Sequence, residues 1–282
     1  MTSCRPSALI VMVMVLTAAQ FFRSTVAKAD TTSQAQSDLV KQANAPISSI
    51  LQLRLQNVYA PAFQGGLHGQ GNSFSIALTM PLPEYRLLPL PQLSLLTIPA
   101  ANTLPLPDGS LTGFGDVRFL DIAIIDAGHR VLLGVGPSLV FPTASEPVTG
   151  QGKWQAGPAA AVAFAPKRWL IGVLAQNPIS FAGDPNRSTA NALYLQPFIT
   201  YQLDRGWFIR SQPQMIFDWE TGKQLLPLSL GFGRVFKIGR QQVSCFFEAA
   251  WNVSHDGPAP RYALEFGLSL LYPNFWGRKA AP

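Results

Sequence analysis

The sequence predicts an all-β protein: a single up-and-down antiparallel transmembrane β-barrel of about twelve strands, of bacterial outer-membrane type. Three observations predict it. From Ser48 onward the apolar residues recur with period two, as on a strand, and not with the 3.6 period of a helix. The segments joining the alternating stretches are long and short in turn, as when loops crown one rim of a barrel and tight turns the other. Only 13% of the 282 residues are charged, although 48% are hydrophobic. A soluble domain carries about 25% charge, so part of this surface is expected not to face water.

The chain opens with Arg5, an apolar run from Ala8 to Ala19, and the small-x-small pattern Ala27-Lys28-Ala29. Residues 1–29 therefore read as a secretory signal peptide; the run is shorter than the ~20 residues of a spanning helix. Removing it takes Arg5, Arg23 and Lys28 and no acidic residue, half of the net charge of +6. What remains lacks the basic stripe that nucleic acid requires. Cys4 leaves with the peptide, so Cys245 remains without a disulfide partner or a zinc set. Residues 30–47 are polar with little apolar period and are expected to form a flexible leader. The barrel is expected over 48–276, with a tail at 277–282.

Strands are expected at 48–58, 72–80, 84–98, 115–125, 130–141, 154–164, 168–177, 191–203, 206–219, 225–235, 241–253 and 261–272. The alternation is plain in Leu51, Leu53 and Leu55 against Gln52, Arg54 and Gln56, and in Tyr262, Leu264, Phe266, Leu268 and Leu270 against smaller or polar neighbours. Short turns carry turn chemistry at Asp126-Ala127-Gly128, Asp204-Arg205-Gly206 and Ile238-Gly239. The first and last strands are expected to pair and remove both sheet edges.

The apolar face is assigned to lipid because the opposite face is small or polar rather than rich in Lys and Glu. The lumen candidates are Gln52, Arg54, Gln56, Gln196, Gln202, Arg210, Gln212, Gln214, Asp218, Glu248, Asn252 and Glu265. Their mixed sign suits a weakly selective interior rather than an ion filter. Trp154, Trp169, Trp207, Trp219, Trp251, Tyr262 and Tyr272 fall near strand ends. They are the candidates for aromatic girdles, where an amphipathic ring meets lipid headgroups. The last strand, Glu265-Phe266-Gly267-Leu268-Ser269-Leu270-Leu271-Tyr272, looks like the terminal signal read by barrel-insertion machinery.

The chain resembles the outer-membrane family labelled after the MetA pathway of phenol degradation. The resemblance is carried by Gly113-Phe114-Gly115-Asp116, Gly136-Pro137-Ser138, Phe141-Pro142-Thr143-Ala144 and the run from Gly150 to Pro158. It continues in Ser180-Phe181-Ala182-Gly183, Gln196-Pro197-Phe198 with Tyr201, Gly206-Trp207, Asp218-Trp219, Leu226-Pro227-Leu228 and the run from Gly231 to Phe236. It implies an outer-membrane barrel that moves small, hydrophobic or aromatic compounds, and it supplies no catalytic residues.

No enzyme, cofactor or metal is expected. His68, His129 and His255 are far apart and fall in loops or turns, where ligands do not converge. An outer-membrane lipase needs a strand-borne Ser–His pair, and none is found. Gly231-Phe232-Gly233 and Gly65-Gly66-Leu67-His68-Gly69 open no helix and are strand and loop glycines. The expected partners are outer-membrane lipid, the insertion machinery and a small-molecule solute. The alternatives are a side-chain-filled structural or anchoring barrel, and a soluble periplasmic β protein that binds a hydrophobic ligand.

Overall fold

The computed structural model describes residues 33–45, 50–82, 84 and 90–273. The compact unit that holds every strand begins at Ala35; of the unit before it, only Ser33 and Gln34 are described. The expected signal peptide and the tail at 277–282 lie outside the described residues. Among the described residues the chain runs through one α-helix, α1 (Ser33–Asn44), a 3-10 turn at Asp204–Gly206 and fifteen strand segments. The first eight are β1 (Leu51–Gln64), β2 (Gly71–Leu82), β3 (Gln92–Leu106), β4 (Gly109–Gly113), β5 (Val117–Asp126), β6 (Val131–Phe141), β7 (Lys153–Phe164) and β8 (Trp169–Gln176). They are followed by β9 (Ile179–Gly183), β10 (Ala192–Gln202), β11 (Trp207–Ser211), β12 (Met215–Asp218), β13 (Gln224–Ile238), β14 (Gln241–His255) and β15 (Ala259–Tyr272).

The segments form one closed antiparallel sheet of twelve walls. β11 and β12 share one wall, while β4 and β9 extend the loop side by pairing with β3 and β7. Each wall pairs with its neighbours in sequence, and β1 closes against β15 from Leu51↔Tyr272 to Gln64↔Ala259. Short turns β5–β6, β7–β8, β10–β11 and β13–β14 lie at the rim where β1 begins and β15 ends. The connections 65–70, 142–152 and 219–223 lie at the other, together with the short β14–β15 turn at 256–258.

Three features differ from the expected strand plan. The third strand begins at Gln92 rather than 84, directly beyond Pro91, whose nitrogen has no hydrogen to donate to a ladder. The expected strand 206–219 is interrupted at 212–214, around Pro213, but its register against β10 and β13 is the same on both sides, so the side-chain parity of β11 carries into β12. The expected flexible leader contains α1, whose later residues are buried: Leu39, Val40, Ala43 and Asn44.

The outward face carries a band of exposed apolar side chains that includes Val135, Val162, Ile171, Ile199, Leu228, Leu230 and Phe232. Leu230 is 60% exposed at mid-strand, a position that water would leave without partners. Inside, three phenylalanines lie over glycines directly across the ladder: Phe198 on Gly172, Phe208 on Gly233 and Phe246 on Gly267. A Cβ on any of these glycines would collide with the facing ring. The glycines leave room for a large ring where the inward faces converge.

At Gly267 the three atoms nearest such a Cβ all belong to the Phe246 ring. G267A is therefore expected to cost about 1–3 kcal/mol by overpacking, read as a lower urea midpoint of the folded barrel. Combined with F246L it should cost clearly less than the two single effects added together.

Candidate functional site in the barrel lumen

The end of α1 is held inside the barrel. A helix terminates with carbonyls that have no partner of its own, and its C-terminus carries partial negative charge. Here two of those carbonyls meet inward side chains of the wall. Arg54 Nη2 donates to Ala43 O at 3.1 Å, and Gln212 Nε2 donates to Asn44 O at 2.8 Å. Arg210 Nη1 reaches Asn44 Oδ1 at 3.4 Å. The apolar side of the same turns, Leu39, Val40 and Ala43, packs with Ile50, Phe208, Val235, Phe246 and Leu271. Lys41 points to the opposite wall, where Nζ donates to Ala165 O at 3.4 Å. Burial pushes the Lys41 ammonium below the usual lysine range; Asp38 counters this and Arg130 adds to it.

Beneath the helix end lies an ion pair. Arg210 Nε donates to Glu248 Oε2 at 2.6 Å, and both side chains are 3% exposed. Arg210 also donates to Gln212 Oε1 at 2.7 Å and lies 3.9 Å over the Phe246 ring. Glu248 Oε1 accepts from Gln212 N at 2.7 Å and from Ser229 Oγ. That backbone N–H would belong to the ladder in a continuous strand; the break at Pro213 turns it to the carboxylate. Gln52 lies 2.8 Å from Ser269 Oγ and, with its amide oxygen toward Arg54, accepts from that guanidinium at 3.0 Å. Glu265, inward on β15, shares the electrostatic field of Arg54 and Arg210.

Five of the expected lumen residues thus meet in one network: Gln52, Arg54, Arg210, Gln212 and Glu248. Glu265 stands beside it. Gln56 and Gln196 face inward elsewhere on β1 and β10, and Gln202 is buried at the turn rim. Three more keep the inward parity outside the network. Gln214 is exposed between the two paired stretches, at the register position opposite the inward Gln196. Asp218 caps the turn after β12 by accepting from Glu220 N and Thr221 N. Asn252 donates to Pro260 O near the loop rim. Asn44 was not among the candidates, because its role depends on the helix.

The inward face is also less polar than expected. Leu93, Leu120, Ile122, Leu170, Leu174 and Phe198 form an apolar arc with Ala159, Ala161 and Ala163. The small alanines on β7 hid its parity in the sequence. Toward the loop rim the lumen opens into a cavity of about 450 Å³ lined by Ser73, Ser75, Thr97, Asn102, Asp116 and Arg118, among others. Arg118 lies 4.8 Å over the Tyr194 ring. Asp116 is occupied with the loop after β6, accepting from Ala144 N at 3.1 Å and Gln151 N at 2.6 Å. These bonds draw the loop against the cavity, which Val148, Thr149, Gly150 and Gln151 also line.

The expected girdle residues divide between the rims. Trp154, Trp219, Trp251 and Tyr262 lie toward the loops, and Trp169, Trp207 and Tyr272 toward the turns. Trp169 packs on Tyr201 with ring centroids 4.6 Å apart, and Trp154 meets Phe141 edge-on at 5.5 Å.

No protein-family model and no curated protein matches the chain. Among solved structures it is similar to the COG4313 outer membrane channel from Pseudomonas putida F1, with a TM-score of 0.59 and 12% identity over 81% of this chain and 97% of that one. It also aligns with the NanC porin, at a TM-score of 0.49 and 10% identity over 79% of this chain and 98% of that one. At the first of these scores the likeness shows the fold, a barrel of the outer-membrane kind.

Removing one partner of a buried ion pair leaves the other charge uncompensated. E248Q is therefore expected to lower stability by about 3–5 kcal/mol, measured as a shift in the urea midpoint. The double replacement R210M/E248M should recover most of that loss.

Proposed function

We propose that this protein spans a bacterial outer membrane and admits small solutes passively through a lumen narrowed by α1. The observation that carries the reading is the closed sheet with an outward apolar band bounded by aromatic residues at both rims. Such a surface suits lipid, and closure satisfies the backbone groups that lipid cannot. The signal peptide and the last strand fit export and recognition by the barrel-insertion machinery. The reading is non-enzymatic and uses no cofactor or metal.

Within the barrel a solute would meet the polar cavity at the loop mouth, then the apolar arc on β5–β8, then the helix end and its charged network. A path with an apolar wall on one side suits a small, partly hydrophobic or aromatic compound, the class implied by the resemblance to the MetA-pathway family. The seating of α1 favours a second reading, in which the barrel is filled and serves to anchor its loops. A soluble periplasmic protein binding a hydrophobic ligand is the third, and it has no use for the exposed outward band.

Fractionation separates the third reading from the others. The barrel should appear in the outer-membrane fraction and migrate differently on gels before and after heating. Recovery in the periplasm without a heat shift would defeat the membrane reading. Bilayer conductance and liposome swelling separate the first two. V40D, which places a carboxylate in the apolar seat of α1, is expected to raise conductance several-fold over the native chain. If both the native protein and V40D are impermeable, the filled barrel stands.

A further inference from the structure

We propose that the short-turn rim is a binding surface for anionic phospholipid headgroups. The inference rests on the membrane reading above and adds a lipid class and a set of residues to it. Two independent observations carry it.

The first is backbone conformation. Among the described residues, four other than glycine have positive φ: His129 (53°), Arg130 (67°), Lys167 (36°) and Arg205 (58°). All four are basic or can become so, and all four sit in the short turns. Left-handed backbone crowds the Cβ of an L-residue against the following carbonyl, so such positions favour Gly, or else Asn. The loop rim follows that rule. Its left-handed residues, such as Gly65, Gly109, Gly183 and Gly222, are all glycine among those described. Glycine serves turn geometry at both rims, with Gly128, Gly206 and Gly239 left-handed in the short turns. Only at the short-turn rim is it also served by other residues, three of them the long cations Arg130, Lys167 and Arg205 that the backbone disfavours. A hairpin turn needs positive φ, but nothing in that need calls for a cation.

The second is charge. The same turns add Lys237 and Arg240, which flank Gly239 between β13 and β14 and are exposed. Internal neutralisation is limited. Among the described residues, ion pairing at this rim is that of Arg168 with Asp204 at 2.9 Å, and Asp126 accepts from Gly128 N within its own turn. Trp169 and Trp207 stand on the outward face at the same level, with Arg234 5.5 Å over the Trp207 ring. Rings at headgroup depth place the turn cations level with lipid phosphates, to which Lys and Arg donate.

The test is native mass spectrometry of the purified full-length barrel in detergent micelles containing equal phosphatidylglycerol and phosphatidylcholine. The readout is which lipid remains bound. Each cation near an anionic surface accounts for about a fivefold gain, so phosphatidylglycerol is expected to be retained at least about fivefold over phosphatidylcholine. The triple variant R130G/K167G/R205G relieves backbone strain and should keep the heat-shifted migration of the folded barrel. It is expected to lose most of the preference, while K223A at the loop rim leaves it unchanged. Equal retention of the two lipids, or a preference that survives the triple variant, overturns the proposal. Cosedimentation with peptidoglycan without lipid preference overturns it in favour of a cell-wall contact. Failure of the native chain to insert into phosphatidylcholine vesicles overturns the membrane reading and this proposal together; insertion without lipid preference overturns this proposal alone.

Discussion

The pairing of β1 with β15 turns a meander of hairpins into a barrel, and the remaining features depend on that closure. A sheet of this size left open would present two rows of unpaired N–H and C=O groups. Closed, it gives every wall two neighbours and divides the side chains into an outer and an inner set. The outer set can then be almost wholly apolar. The inner set has to fill or line a space whose width is fixed by the number of walls. The Phe-over-Gly pairs at Gly172, Gly233 and Gly267 answer that limit, because a ring fits inside only where the facing position gives up its side chain.

Closure also creates the setting for α1. In water the last carbonyls of a helix are solvated. Inside the barrel they must be met by the wall, and Arg54 and Gln212 meet them from strands at the two ends of the sequence. The Arg210–Glu248 pair holds Gln212 and Asn44 in place, so the polar network and the helix position each other. The positive groups gather at the negative end of the helix dipole, which favours them electrostatically. Taking the helix away would leave Arg54 without the Ala43 carbonyl and Arg210 without Asn44, while the Arg210–Glu248 pair stayed in the wall.

The fold was legible because period two is a strong signal wherever one face is continuously apolar, as on β13, β14 and β15. The network at Arg54, Arg210, Gln212 and Glu248 was legible for the same reason: those residues fall on the inward parity of well-marked strands. What escaped the sequence has specific physical causes. The helix is polar over most of its surface, and its apolar side is only Leu39, Val40 and Ala43. What secures it comes in part from Arg210 and Gln212, more than 150 residues away. The inward apolar arc was hidden by β7, where alanines alternate with residues little larger than themselves. The family label, in turn, is carried by the quoted residues alone, since no family model matches the chain and the structural likeness reaches only the fold.

The position of α1 has a consequence for the order of assembly. The helix precedes β1 in the chain, yet its seat is built from Phe208, Val235, Phe246 and Leu271, all on the C-terminal walls. It cannot dock until those walls have formed, and once β1 meets β15 it is already enclosed. The final step of folding therefore joins three events that are separate in sequence: closure of the sheet, burial of the helix and completion of the ion network. A chain interrupted before β15 would lack all three, and its earliest segment would be among the last to find its place.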